Sequence, residues 1–507
     1  MHTDTILIVD FGSQYTQLIA RRIRELEVYS EIVPFDEPLE ITKNVKGIIL
    51  SGGPKSVYEA DAYHFDDSIF KQDIPMLGIC YGMQIIVKYF GGHVEKHDTK
   101  EYGKALVDII KPNALFEGLK SSETTWMSHG DRVVKTSDNF DVLAESNHII
   151  SAIKHRDKDI YGLQFHPEVN HTQHGVKVLK NFVYHICQAT AGWKMRDYMH
   201  ESVETIRSVV GSEKVLLGLS GGVDSSVAAV LLHQALGEQL TCVFVDHGLL
   251  RHEEADTVER VFKEYYQMHF VRVDAKEKFL SALKGVTDPE QKRKTIGKLF
   301  IDVFKETAAS LGDFKYLAQG TLYTDIIESG TKTATTIKSH HNVGGLPKEL
   351  GFDLIEPLNS LFKDEVRKLG DALNMPKEIV YRQPFPGPGL AIRVLGEITE
   401  AKLEMSRKCD HIMHQVIKAD GLEDLIWQYF IVITNAKTVG VMGDKRTYGY
   451  VAALRAVTSL DGMTADWARI PYDTLANIAS RIVNEVDGVN RIVYDITSKP
   501  PGTIEWE

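Results

Sequence analysis

Residues 215–226 read Val-Leu-Leu-Gly-Leu-Ser-Gly-Gly-Val-Asp-Ser-Ser, an apolar run that leads into a loop of glycine and serine. The apolar part predicts a buried strand at Lys214–Leu219, and the residues after the loop predict a helix at Ser225–Leu236. A further strand is expected at Leu240–Val245. Strand, loop, helix and strand in this order predict a parallel α/β sheet, whose binding sites lie at the carboxyl ends of its strands.

The loop itself predicts a polyphosphate-binding site. Its glycines free backbone N–H groups, its hydroxyls flank them, and a helix begins directly afterwards. The loop has no lysine, which separates it from the P-loop pattern and suits release of pyrophosphate more than transfer of a γ-phosphoryl group. A turn that is merely capped by Asp224 or Ser225 is the structural alternative. The predicted contacts to ATP are Ser220, Gly221, Gly222, Val223, Asp224, Ser225 and Ser226.

The first 190 residues repeat this alternation of strands and helices. Each apolar run ends in a turn of glycine or other small residues, which again indicates a mostly parallel α/β sheet. The expected strands are Thr5–Val9, Gly47–Leu50, Met76–Ile79 and Asp159–Gln164.

Cys80 follows one of these strands and precedes an amphipathic run. Gly78 and Gly82 flank it at a spacing of two, as a sharp turn from strand to helix requires, because larger side chains would collide there. A cysteine at the start of a helix is favoured as the thiolate, which is the nucleophilic form. The alternative is a small buried core residue.

A base and its orienting group are predicted further along the chain. His166 follows the last of the four strands, and Glu168 is two residues beyond it. Cys80, His166 and Glu168 would act as nucleophile, base and orienting carboxylate. Backbone N–H groups of Gly53 and Tyr81 are candidates for the oxyanion hole.

Two breaks divide the chain into three predicted domains, 1–192, 200–382 and 390–507. The first break is the weakly patterned stretch Ala189–His200. The second is Gln383–Gly389, whose three prolines cannot continue a helix or a central strand. The predicted fold class is α/β, with two parallel-sheet domains followed by a smaller α+β domain.

Composition narrows the possible functions. A net charge of −12 argues against a non-specific nucleic-acid binder, which is usually basic. The four cysteines are widely spaced, so they indicate neither a disulfide framework nor a structural zinc site. Neither a signal-peptide pattern nor an apolar run near 18 residues is present, and we therefore expect a cytoplasmic protein with no membrane partner.

The thiol motif resembles that of class I glutamine amidotransferases, which carry a glycine-flanked cysteine, a later His-x-Glu and a strand ending in Gly-Gly-Pro. All three are present within about 190 residues. The loop at 220–226 resembles that of the N-type ATP pyrophosphatases. Further motifs make nearly the whole chain similar to the glutamine-hydrolysing GMP synthetase family, although Thr324 and Gly502 stand where proline and alanine are expected. These motifs are Gln319–Ser329, 337–347, Arg382–Arg393, Gly440–Tyr448 and Lys499–Glu507.

The resemblance implies a reaction and its participants. ATP, with Mg²⁺ as cofactor, would adenylate the C2 oxygen of xanthosine 5′-monophosphate (XMP), and ammonia from glutamine would displace AMP to give GMP. Asp224 is a candidate contact of the metal or its water. The family pattern places Arg293, Lys499, Ile504 and Glu505 at the XMP, a lid at 340–347, and a dimerisation domain at the C-terminus, so a homodimer is expected. For the basic run Lys292–Lys294, a solvated helix face is the alternative.

Three other functions remain open from the residues. An NAD synthetase is disfavoured by the cysteine-type amidase and the terminal Ile-Glu-Trp-Glu. A tRNA-thiolating enzyme is disfavoured by the acidic charge and by the absence of a CxxC pair, and a non-enzymatic binding protein by the intact Cys80, His166 and Glu168. Glutamine hydrolysis measured with and without XMP and ATP separates these possibilities.

Overall fold

The computed structural model describes residues 3–59, 62–63, 65–330, 351–442, 444–459, 462 and 464–507. The chain divides into two compact units. The first ends at Glu201 and also includes the helix that begins at Tyr323, and the second contains the rest of the chain from Ser202 to Glu507. The predicted lid at 340–347 lies outside the described residues.

A nine-stranded sheet forms the centre of the first unit. Its strand order is β2-β1-β3-β4-β9-β8-β7-β5-β6. The strands are β1 (Thr5–Asp10), β2 (Tyr29–Pro34), β3 (Val45–Leu50), β4 (Met76–Ile79), β5 (His93–Ile109), β6 (Ser122–Lys135), β7 (Phe140–Ser146), β8 (Ile149–His155) and β9 (Ile160–Leu163). The helices are α1 (Thr16–Glu25), α2 (Tyr81–Tyr89), α3 (Gly175–Lys180) and, later in the chain, α9 (Tyr323–Gly330).

The two halves of this sheet pair differently. Strands β2, β1, β3, β4 and β9 run parallel, as the alternating pattern predicts. Strands β5–β8 are antiparallel, which the sequence pattern did not indicate. The reason is the connections: β7 and β8 are joined only by Asn147 and His148, and such a short turn can join only antiparallel neighbours.

A five-stranded parallel sheet, ordered β12-β11-β10-β13-β14, lies in the second unit. Its strands are β10 (Val215–Gly218), β11 (Leu240–Asp246), β12 (His269–Asp274), β13 (Tyr316–Ala318) and β14 (Asp353–Ile355). Helix α4 (Met195–Val210) begins in the first unit and ends in the second. The other helices of this region are α5 (Val223–Leu236), α6 (Glu254–Glu259), α7 (Lys276–Leu283), α8 (Pro289–Leu311), α10 (Lys363–Ala372) and α11 (Lys377–Val380).

The second unit also contains a four-stranded sheet. Its strands are β15 (Gln428–Met442), β16 (Lys445–Thr458), β17 (Asp466–Trp467) and β18 (Val489–Asp495), and its helices are α12 (Glu400–Ala419) and α13 (Tyr472–Glu485). One apolar core joins both sheets, since Leu216 and Val243 belong to the same buried cluster as Ile431 and Leu454. The division of the chain into three domains therefore stays a prediction.

Among the helices of the described ranges, none combines the length and the apolar character that crossing a membrane requires.

Candidate active site

The thiol lies on a strained turn between β4 and α2. Cys80 has φ = 52° and ψ = −105°, a left-handed conformation that is rare for a residue with a side chain, and α2 begins at the next residue. A Cβ on Gly82 would lie 2.2 Å from the carbonyl oxygen of Leu50, and one on Gly78 would lie 2.5 Å from the Gly82 carbonyl carbon. The flanking glycines therefore allow the close backbone approach that this turn requires, and they place the buried thiol at the end of the strand.

His166 and Glu168 form a buried pair beside this thiol. His166 Nδ1 lies 2.7 Å from Glu168 Oε1, and both side chains are almost fully buried. His166 also interacts electrostatically with the Cys80 side chain. Burial alone would lower the pKa of His166, but Glu168 and Cys80 outweigh it and raise that pKa well above its ordinary value. The arrangement can stabilise an imidazolium next to a thiolate.

The candidate oxyanion donors adjoin the same turn. A Cβ built on Gly53 would lie 3.2 Å from the Tyr81 ring, and one on Gly52 would lie 3.4 Å from His166 Cε1. The turn after β3 therefore faces both the base and the start of α2. The roles of Gly53 and Tyr81 stay predictions.

Three further residues contact this triad and were missed from the sequence. Gln164 Nε2 lies 3.7 Å from Cys80 Sγ, and the carbonyl oxygen of Ser128 lies 3.8 Å from the same sulfur. The ring of Tyr15 packs edge-on against His166, with 4.9 Å between centroids. Gln164 is near His166 in the chain and could have been suspected, whereas Tyr15 and Ser128 have no local signal.

The predicted pyrophosphate loop connects β10 to α5. Gly221 has φ = +77°, and the Ser220 and Ser225 hydroxyls lie 2.9 Å apart. The Gly222 N–H donates to Ser220 Oγ at 3.2 Å. The structure thus brings the predicted loop residues together at the amino end of a helix of 14 residues, where N–H groups favour an anion.

A lysine reaches this loop from a distant helix. Lys363 Nζ, at the start of α10, lies 3.0 Å from Asp224 Oδ2. A phosphate-binding cation is therefore available although the loop has none of its own. The other carboxylate oxygen of Asp224 is buried and has no hydrogen-bond partner among the described residues. That single free oxygen fits Mg²⁺, which commonly takes one or two carboxylates and completes its shell with phosphate oxygens and water.

The predicted XMP contacts lie around the C-terminal segment. Arg293 donates to the carbonyl oxygen of Glu507, and Lys499 donates to that of Gly462 at 2.7 Å. Glu505 forms an ion pair with the buried Arg393, 2.9 Å apart, and Ile504 packs against a small apolar cluster. These contacts are within the protein, so the contribution of the four residues to nucleotide binding stays a prediction.

The basic run 292–294 does not form one solvated face. Lys292 is fully buried, and its Nζ lies 2.5 Å from Glu507 Oε2, whereas Lys294 is largely exposed. Burial lowers the pKa of Lys292, and the Glu507 carboxylate opposes that shift. The three residues therefore have different environments, because α8 turns each side chain in a different direction.

Comparison with known proteins defines the class to which this fold and these sites belong. The class-I glutamine amidotransferase family matches residues 7–186, the NAD synthase family matches 194–298, and the GMP synthase C-terminal domain family matches 415–506. The chain is thus an amidotransferase joined to an NAD synthase-like domain and a C-terminal GMP synthase domain.

Full-length relatives identify the family. The glutamine-hydrolysing GMP synthase of Bacillus cytotoxicus is 58% identical over 507 residues, which is 99% of each chain. Those of Bacillus subtilis and Geobacillus kaustophilus are 59% and 58% identical, and the matches cover 99% and 100% of each chain, respectively. The chain belongs to the family of glutamine-hydrolysing GMP synthases, which are ligases that use glutamine as the amide donor.

Proposed function

We propose that this enzyme makes GMP from XMP in two coupled reactions at two sites. Glutamine is hydrolysed at Cys80, and ATP adenylates the C2 oxygen of XMP at the Ser220–Ser226 loop. Ammonia then displaces AMP to complete the amination. The observation that carries the proposal is the buried pair of His166 and Glu168, which interacts electrostatically with Cys80 on the chain that also carries the predicted pyrophosphate loop.

The first site supplies ammonia by covalent catalysis. The Cys80 thiolate attacks the side-chain amide carbon of glutamine, and N–H groups of Gly53 and Tyr81 stabilise the oxyanion. His166 gives a proton to the departing nitrogen, and Glu168 stabilises the imidazolium before that transfer. Water then hydrolyses the thioester and releases glutamate.

The second site activates the oxygen that ammonia displaces. Backbone N–H groups of the loop and Lys363 bind the phosphates that depart as pyrophosphate. Asp224 would hold Mg²⁺ through its free oxygen. When bound, Mg²⁺ neutralises part of the phosphate charge. In this proposal, XMP is contacted by Arg293, Lys499, Ile504 and Glu505.

We also propose that the enzyme is a cytoplasmic homodimer. The hairpin of β15 and β16 carries three exposed apolar side chains: Val439, Val441 and Tyr448 are 48%, 72% and 69% exposed. Val439 and Tyr448 are directly opposite in the ladder, so they share one face. A second copy of the chain would cover these three side chains.

The four cysteines are unpaired, which suits the reducing environment of the cytoplasm.

The test of the two-site proposal is Cys80→Ala. The variant should lose glutamine-dependent GMP formation and keep most of its ammonia-dependent formation, because the thiol only supplies the nucleophile. Product analysis of the wild-type reaction with glutamine and of the variant's reaction with ammonia should show AMP and pyrophosphate in equal amounts.

Cys409→Ala serves as a control, since Cys409 is a buried thiol of the second unit that takes no part in the proposed chemistry. Loss of ammonia-dependent synthesis in a folded Cys80→Ala protein would contradict the division of labour. ADP as the main nucleotide product would contradict adenylation.

A further inference from the structure

A second buried histidine lies on the wall of the glutaminase site. His129 belongs to β6, and the carbonyl oxygen of the preceding Ser128 lies 3.8 Å from Cys80 Sγ. The His129 side chain is only 3% exposed, and it is close enough to His166 for the two charges to interact. The catalytic steps proposed above do not use it.

The contacts of this imidazole fix the positions of its hydrogens. Nδ1 lies 2.8 Å from the carbonyl oxygen of Asp131, which can only accept, so Nδ1 carries a hydrogen. Nε2 faces Glu101 Oε2 at 3.2 Å. Within the described part of the chain, neither of these two buried atoms has a hydrogen bond of good geometry. Burial and the charge of His166 lower the pKa of His129 and Glu101 opposes them, so the contact between Nε2 and Oε2 is attractive when a proton lies between the two atoms.

The pair stands next to an irregular part of the β5–β6 ladder. Lys96 pairs with Asp131 and Glu101 pairs with His129, so residues 97–100 of β5 stand opposite Gly130 alone. The register of the ladder shifts between these two pairs, as at a β-bulge. The contact between His129 and Glu101 lies at the first pair after this shift.

We propose that His129, held by Glu101, is a positioning residue for glutamine. The pair fixes the Ser128–Asp131 backbone beside Cys80 and thereby determines how tightly glutamine is bound. His129 does not transfer a proton to substrate, because both of its nitrogens are occupied by protein groups. This inference rests on the proposed glutaminase function of Cys80.

The experiment compares Glu101→Ala with Glu101→Gln. Glu101→Ala leaves Nε2 buried without a partner, so the glutamine KM should rise by about 10- to 100-fold while kcat changes little. Glu101→Gln should restore a KM near that of the wild type, because its amide N–H can donate to Nε2. His129→Ala should resemble Glu101→Ala.

A matched control uses the neighbouring pair of the same two strands. Arg132 and Glu95 lie 2.7 Å apart, but their side chains are 36% and 40% exposed. Glu95→Ala should leave the glutamine KM unchanged, because water replaces the lost contact. Ammonia-dependent GMP synthesis should stay at the wild-type level in every variant, which verifies folding and the second site.

The proposal is overturned if Glu101→Ala leaves the glutamine KM unchanged in folded protein, if it lowers kcat alone, or if Glu101→Gln is as defective as Glu101→Ala. A wrong assignment of the glutaminase function to Cys80 would give a different result, because glutamine-dependent synthesis would then survive Cys80→Ala.

Discussion

Glu168 is the residue whose environment most affects the chemistry of the thiol site. One of its carboxylate oxygens contacts His166, and the other is buried without a hydrogen bond in the described structure. Arg22 fixes the local backbone by donating to the Glu168 carbonyl oxygen at 3.0 Å. A buried carboxylate with one free oxygen interacts strongly with a nearby cation, because little else neutralises it.

We expect Glu168→Gln to reduce glutamine hydrolysis by about 10- to 100-fold, less than His166→Ala, because glutamine can orient the imidazole but does not stabilise its charge. Single-turnover measurements of glutamate release compare the two variants. Equal and negligible losses in both would place the base elsewhere.

The same variant should change how stability depends on pH. The folded-state pKa of His166 lies above its unfolded value. The stabilisation from the charged pair is therefore complete below about pH 6.5 and is lost as the pH rises through the folded pKa. Urea unfolding between pH 6 and 9 should show a difference between wild type and Glu168→Gln that shrinks with rising pH. A difference that grows would contradict this assignment.

At the scale of elements, the β15–β16 hairpin differs from the strands that surround the core. Its residues Val432, Ala452 and Ala453 are fully buried, whereas Val439 and Val441, further along the same ladder, are exposed. Exposed apolar side chains grouped on one element commonly mark an interaction surface.

We expect Val441→Asp to weaken the proposed homodimer, because a carboxylate would lose its hydration when a second copy covers the hairpin. Sedimentation equilibrium over a range of concentrations measures this. Val209→Asp, at a valine of α4 that is 55% exposed, is the control and should leave the association unchanged. Wild-type protein that sediments as a monomer, or a Val441→Asp dimer of undiminished affinity, would contradict the proposal.

At the scale of the whole molecule, the C-terminal segment neutralises buried cations of the second unit. Glu507 contacts Lys292, and Glu505 contacts Arg393. The fully buried Arg455 donates to the carbonyl oxygens of Thr497 and Thr503. The last residues of the chain are therefore part of the core that they close.

Deleting 499–507 should consequently destabilise the protein by about 3–5 kcal/mol, because buried charges lose their partners. Such a deletion cannot isolate a role in substrate binding.

Lys499→Met tests substrate binding more selectively than the deletion does. It should raise the XMP requirement by roughly tenfold and leave the ATP requirement unchanged, since a charge-assisted bond to the nucleotide is lost. Apparent affinities for each nucleotide, measured together with the midpoint of thermal unfolding, check both expectations. An unchanged XMP requirement in stable Lys499→Met protein would exclude a direct contact.

The sequence alone determined the features that depend on neighbouring residues. Strands Met76–Ile79 and Val215–Gly218, the turn at Cys80 and the loop at 220–226 are encoded within about a dozen residues each, because apolar runs, glycines and helix starts act locally. The pairing of His166 with Glu168 could be anticipated for the same reason, as they are two residues apart. The resemblance of these motifs to known families then indicated the family, which the full-length relatives confirm.

Only the tertiary structure decided which distant side chains meet. Lys363 reaches Asp224 across 139 positions, Lys292 reaches Glu507 across 215, and His129 faces Glu101 through an irregular ladder. The antiparallel half of the first sheet is a similar case. Contacts of this kind depend on strand order and register, which are set by packing of the whole core rather than by local preference. For that reason the sequence determined the chemistry of the two sites, while the fold supplied the groups that hold that chemistry in position.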